Sequence, residues 1–96
     1  MGLVIGSREV SSAEFEGEVV RLVHSYLHHS EALKRLQDRY GVGSPEDIEK
    51  KIAEGKLPEH PTYEDYLEAL AHIDTMKSSL EDLRRILGAL EMELPT

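Results

Sequence analysis

Phe15, Val19, Leu22, Tyr26, His29, Leu33, Leu36 and Tyr40 follow one another in alternating steps of four and three residues. Such a spacing puts every side chain on one stripe of an α-helix and does not suit the two-residue repeat of a strand. A second series, Tyr66, Ala69, Ile73, Met76, Leu80, Leu83, Leu87 and Leu90, occupies the C-terminal third. The chain must therefore fold around two long amphipathic helices, and its 96 residues leave no room for a second core. A composition 40% hydrophobic but only 5% aromatic agrees with aliphatic packing between helices.

Capping signals divide the chain. Ser11 with Glu14 has capping-box spacing and opens the first helix, acids lead (Glu14, Glu16, Glu18), and Lys34, Arg35 and Arg39 close it before Gly41. Ser44, Pro45, Glu46 and Asp47 start a short helix with Ile48 and Ile52 on its apolar side, and Gly55 ends it. Pro58 and Pro61 make the next stretch a stiff connector, and Thr62 with Asp65 repeats the capping-box spacing. The predicted helices span about residues 12–40, 45–54 and 63–92 of a single helical domain, 11–96. Gly88, unfavourable inside a helix by about 1 kcal/mol, predicts a close contact or fraying. Residues 1–10, with Leu3, Val4 and Ile5 between Gly2 and Gly6, read as an apolar arm, disordered or docked as coil in preference to a strand.

Two helices of roughly 28 residues are about 42 Å long, whereas a compact globule of this size has a radius of gyration of roughly 12 to 13 Å. The expected fold class is all-α: a helical hairpin of two long antiparallel amphipathic helices with a short connecting helix. Val20, Val23 and Leu27 widen the first stripe, and Tyr63, Leu67, Leu70 and Ile86 the second, beyond what one hairpin buries. Dimerisation into a four-helix bundle is the economical solution, with Val20, Val23, Leu27, His29, Tyr66, Leu70 and Ile86 as the expected oligomer or partner interface. His29 is the polar member of the first seam; its imidazole is expected to bond a facing hydroxyl or carboxylate and, at a dimer interface, to make association pH-sensitive.

Other chemistry finds little support. Cysteine is absent, which removes disulfides, thiolate zinc sites and a cysteine nucleophile. His24 and His28, four apart, have zinc-ligand spacing but fall on the solvent side, and Glu68 with His72 lacks the Glu-x-x-His arrangement of di-iron bundles. No metal, cofactor or catalytic residue is therefore assigned. Lys34, Arg35, Arg39, Lys50, Lys51 and Lys56 are candidates for a basic cluster at one end of the hairpin, but acids interleave with them. With 11 Lys and Arg against 19 Asp and Glu the net charge is −8, which disfavours nucleic acid as a partner. Gly41 to Ser44 lacks the lysine and preceding strand of a phosphate loop, and a small all-α enzyme would need inward-facing cations where the seams are aliphatic. No apolar run reaches the roughly 18 to 20 residues of a membrane span, and the N-terminus lacks a signal peptide's basic flank, so a cytoplasmic protein is expected. The absence of Asn and the single Gln37 fit a thermophile.

From Glu31 onward the chain resembles a group of small, mostly archaeal helical proteins. The resemblance is carried by Tyr40-Gly41, the Ser44 to Ile48 start, Gly55, and Glu64-Asp65-Tyr66 with Glu68 ahead of a long amphipathic helix. The Pro58 and Pro61 connector and the apolar lead-in depart from the pattern. Members are often suspected antitoxins, so the resemblance implies a non-enzymatic protein-interaction module, antitoxin-like, whose acidic surface covers a small basic partner, for example an RNA-cleaving toxin. The alternative is a structural or regulatory homodimer.

Overall fold

The computed structural model describes the backbone of residues 2–5 and 8–93 and the side chains of residues 12–88. Two short strands, β1 (Gly2–Ile5) and β2 (Arg8–Ser11), precede three helices, α1 (Ser12–Tyr40), α2 (Pro45–Ala53) and α3 (Thr62–Glu93). The architecture is all-α, a long antiparallel hairpin of α1 and α3 with α2 against α3 near the turn. Its extents of 59 × 21 × 19 Å and radius of gyration of 18.6 Å follow from helix length, since 32 residues of α3 at 1.5 Å each need about 48 Å. No helix among the described residues is long and apolar enough to cross a membrane.

The helices end where glycine allows it. Gly41 has φ 64° and Gly55 φ 73°, and at each the two amides past the helix turn back onto it. Val42 N–H donates to Gln37 C=O at 3.0 Å and Gly41 to Asp38 at 3.2 Å; Lys56 donates to Lys51 at 2.8 Å and Gly55 to Ile52 at 3.0 Å. Carbonyls left over at both C-termini are thus satisfied by backbone in the left-handed region, which costs a residue with a Cβ about 1–2 kcal/mol. The Lys51 ammonium adds a bond to the Tyr40 carbonyl at 3.1 Å.

Two starts differ from expectation. Ser44 sits at the extended cap position with Pro45 behind it, but its side chain makes no capping bond; its carbonyl accepts from Asp47 N–H at 3.2 Å. Thr62 is no cap at all. The Asp65 amide bonds to Pro61 C=O at 3.1 Å, so the helix starts one residue earlier than the capping box requires, and Thr62 is buried inside its first turn. Asp65 is thereby free to reach α1. The connector contains a cis His60–Pro61 peptide.

The apolar arm, expected as coil, is a two-stranded antiparallel ribbon with Leu3 opposite Val10 and Val4 opposite Glu9, and β1 lies against α3. A backbone paired with itself leaves fewer unbonded amides than a docked coil would. Leu90, the last seam position, lies outside the described side chains.

Leu22, Leu36, Ile48, Ala69 and Ile86 form the buried apolar core. Ile48 is the fully buried residue by which α2, packed on α3, is anchored, and Ala69 of α3 is fully buried as well.

Candidate interaction surface

The inner faces of α1 and α3 meet through polar pairs set into an apolar seam. Ser79 donates to Ser25 at 3.2 Å, the Nδ1 atoms of His29 and His72 lie 2.8 Å apart, and the Tyr40 hydroxyl donates to Asp65, which also accepts from Arg39 at 3.1 Å. Asp65, His72, Ser79 and Ile86 are spaced by sevens, one row of α3 aimed at α1. Burial, and then the Asp65 carboxylate, raise the Tyr40 phenol above its ordinary range. Burial, followed by the charges of His72 and His28, lowers His29 below the usual imidazole value.

His29 therefore finds a partner inside its own hairpin, and that partner is an imidazole and not the hydroxyl or carboxylate expected. Ile86, also expected at an interface, is core: its position three residues past Leu83 turns it inward with Ser79 and His72. Tyr66 is half-buried under α2, where Glu49 raises its phenol by hydrogen bonding first and by burial and charge after. Leu70 is half-buried.

Val20, Val23 and Leu27 are different. They are 38–51% exposed and form one continuous row on the outer side of α1. Helix phase puts this row on the broad side of the hairpin that α2 covers at its turn end, the side of Tyr66. Beyond the reach of α2 these three side chains stay exposed, and Leu87 of α3 is 46% exposed toward the other end of the hairpin. Tyr63 and Leu67 are further exposed apolar residues, at the turn end of α3.

The basic residues do not form one cluster. Lys50, Lys51 and Lys56 line a hollow of about 270 Å³ at the turn, with Asp47 and Glu54 among them, and Glu54 takes Lys56 at 2.9 Å. Arg35 and Arg39 line a separate cleft of about 170 Å³ with Glu68 and His72, on the opposite broad side. Lys34 lines neither. His24 and His28 are exposed, and Glu68 approaches His72 at 3.9 Å. Among the described residues no three His, Asp or Glu side chains gather so as to hold a metal ion.

What the sequence missed is the partner of His29. The signal was there in the polar row Asp65, His72, Ser79, but the aliphatic series beside it, Tyr66, Ile73 and Leu80, drew the seam one residue aside.

A family model described as the Uncharacterized protein MJ0235 family matches residues 10–94. No curated protein and no solved structure matches the chain.

Proposed function

The chain belongs to the uncharacterized MJ0235 family, and from that premise we propose that it is a non-enzymatic helical module that works by binding another chain on the broad side of its hairpin. The observation that carries this reading is the row Val20, Val23 and Leu27, half in water over two turns of α1. Covering the exposed halves of three such side chains is worth on the order of 2–4 kcal/mol. A surface of this kind, rimmed by charge, is where a soluble chain meets a partner. The non-enzymatic part rests on the sequence, which has no nucleophile motif, no cysteine and no glycine-rich phosphate loop.

A second reading is favoured by the net charge of −8. In it the bound chain is a small basic protein, and the module acts as an antitoxin-like neutraliser whose acidic surplus speeds and orients the encounter.

Tagged protein recovered from its own host and weighed under native conditions tests the docking reading. The expected mass exceeds the 10.8 kDa of one chain and falls to that of one chain in the Val23→Glu/Leu27→Glu variant. A single-chain mass for the unaltered protein, or an assembly indifferent to the variant, overturns it.

A further inference from the structure

The outer row of α1 has an internal symmetry. Val23 and Leu27 lie two residues either side of Ser25, Val20 and Ser30 five either side, and Glu16 and Lys34 nine either side. All six fall within about 80° of arc at roughly 100° per residue. Turned over by a twofold axis perpendicular to the helix and level with Ser25, the row meets itself with apolar against apolar in the middle and acid against base at both ends.

α3 carries the same pattern. Ser25 is bonded to Ser79, so an axis level with one is level with the other. Two residues either side of Ser79 are Lys77 and Glu81, five either side are Asp74 and Arg84, and nine either side are Leu70 and Gly88. These six share one arc of α3, on the same broad side of the hairpin as the α1 row. The axis was set by α1 alone, yet on α3 it brings a base to an acid twice over and a leucine to a glycine. Among the described residues, and apart from its chain neighbours and the helix's own backbone, no atom lies within 4 Å of where a Cβ at Gly88 would be. Among the described residues, Glu16, Lys34, Asp74, Lys77, Glu81 and Arg84 form no ion pair within the chain.

We infer that the occupant of this broad side is a second copy of this chain, packed face to face with α1 antiparallel to α1 and α3 antiparallel to α3 about an axis level with Ser25 and Ser79. Glu16 of each copy pairs with Lys34 of the other, Lys77 with Glu81, and Asp74 with Arg84. The contact is isologous and closes at two copies, giving an antiparallel four-helix bundle. This rests on the docking reading above and supplies its partner.

The native chain has no cysteine, so introduced thiols report without background. Glu16→Cys/Lys34→Cys places two thiols about 27 Å apart on one helix, and Asp74→Cys/Arg84→Cys about 15 Å apart, both too far for an internal disulfide. Mild oxidation of the purified full chain should convert most of each double variant to a reducible covalent dimer, with none of the four single variants linking. Lys34→Glu should weaken dimerisation roughly tenfold at low salt, and Glu16→Lys/Lys34→Glu should restore it, with helix content unchanged by circular dichroism. Single variants linking as well as doubles, or a dimer in which neither double links, overturns the register. A purified chain that sediments as a monomer overturns the inference while leaving the docking reading to the lysate mass.

Discussion

His29 and His72 face each other Nδ1 to Nδ1, 2.8 Å apart, from the middle of the two long helices. One ring donates and the other accepts, so the bond survives one added proton and not two. Burial first, and then the charges of His72 and His28, hold His29 below its usual value. The unfolded chain, with an ordinary histidine near 6.5, therefore takes up protons before the folded one does. The stability that neutral His29 contributes is complete above about pH 6.5 and declines as the pH falls through the lowered folded value. Urea midpoints from pH 8 to 5 should drop in the native chain and drop less in His29→Gln, the difference excluding the other histidines. Parallel curves for the two proteins would contradict this.

Ile86 and Val23 should separate core from surface. Ile86→Ala removes a buried side chain and should lower unfolding free energy by about 2–4 kcal/mol. Val23→Ser should change the unfolding of the isolated chain by no more than about 0.5 kcal/mol. Denaturant unfolding at a concentration below any association measures both.

Asp65 joins Tyr40 and Arg39 of α1 to the first turn of α3. Asp65→Ala leaves the half-buried Tyr40 hydroxyl without its main acceptor and should cost about 1–3 kcal/mol, with Asp65→Asn recovering part of the loss. An alanine variant as stable as the native protein would remove the turn-end clasp from the account.

Glycine should matter in opposite directions at two positions. Gly55→Ala forces a Cβ into φ 73° and should destabilise by about 1–2 kcal/mol. Gly17, inside α1 with nothing within 4 Å of a built Cβ, should accept alanine with a gain of up to about 1 kcal/mol. Paired thermal melts decide both signs.

Much of the hairpin was legible because its stops are chemical. Gly41, Pro45 and Gly55 each force or forbid a particular backbone, so α1 and α2 end within a residue of where the sequence puts them. The three-four periodicity likewise found Leu22, Leu36 and Ala69. It failed where two neighbouring rows compete for one seam: Ile73 and His72 differ by one position, and only the stagger of α1 against α3 chooses between them. That stagger is a property of the turn, of Asp65 reaching Tyr40 and of Thr62 entering the helix, and neither long helix encodes it alone. The exposed row Val20, Val23 and Leu27 was readable because excess width in an apolar stripe is visible without knowing the partner. Residues 2–5 and 8–11 were misjudged because four-residue segments with few alternations carry too little pattern to tell a strand from a docked coil.

The three polar pairs along the seam also imply an order of assembly. Tyr40 and Asp65 are 25 residues apart in the chain, His29 and His72 43, and Ser25 and Ser79 54. Closing the longest of these loops directly from the unfolded chain is entropically harder than closing the shortest by about 0.7 kcal/mol, while each closure shortens the next search. The hairpin is built to zip from its turn and to fray from its far end, so slow amide exchange should be concentrated near Leu36 and Ala69 and fade toward Leu22 and Ile86.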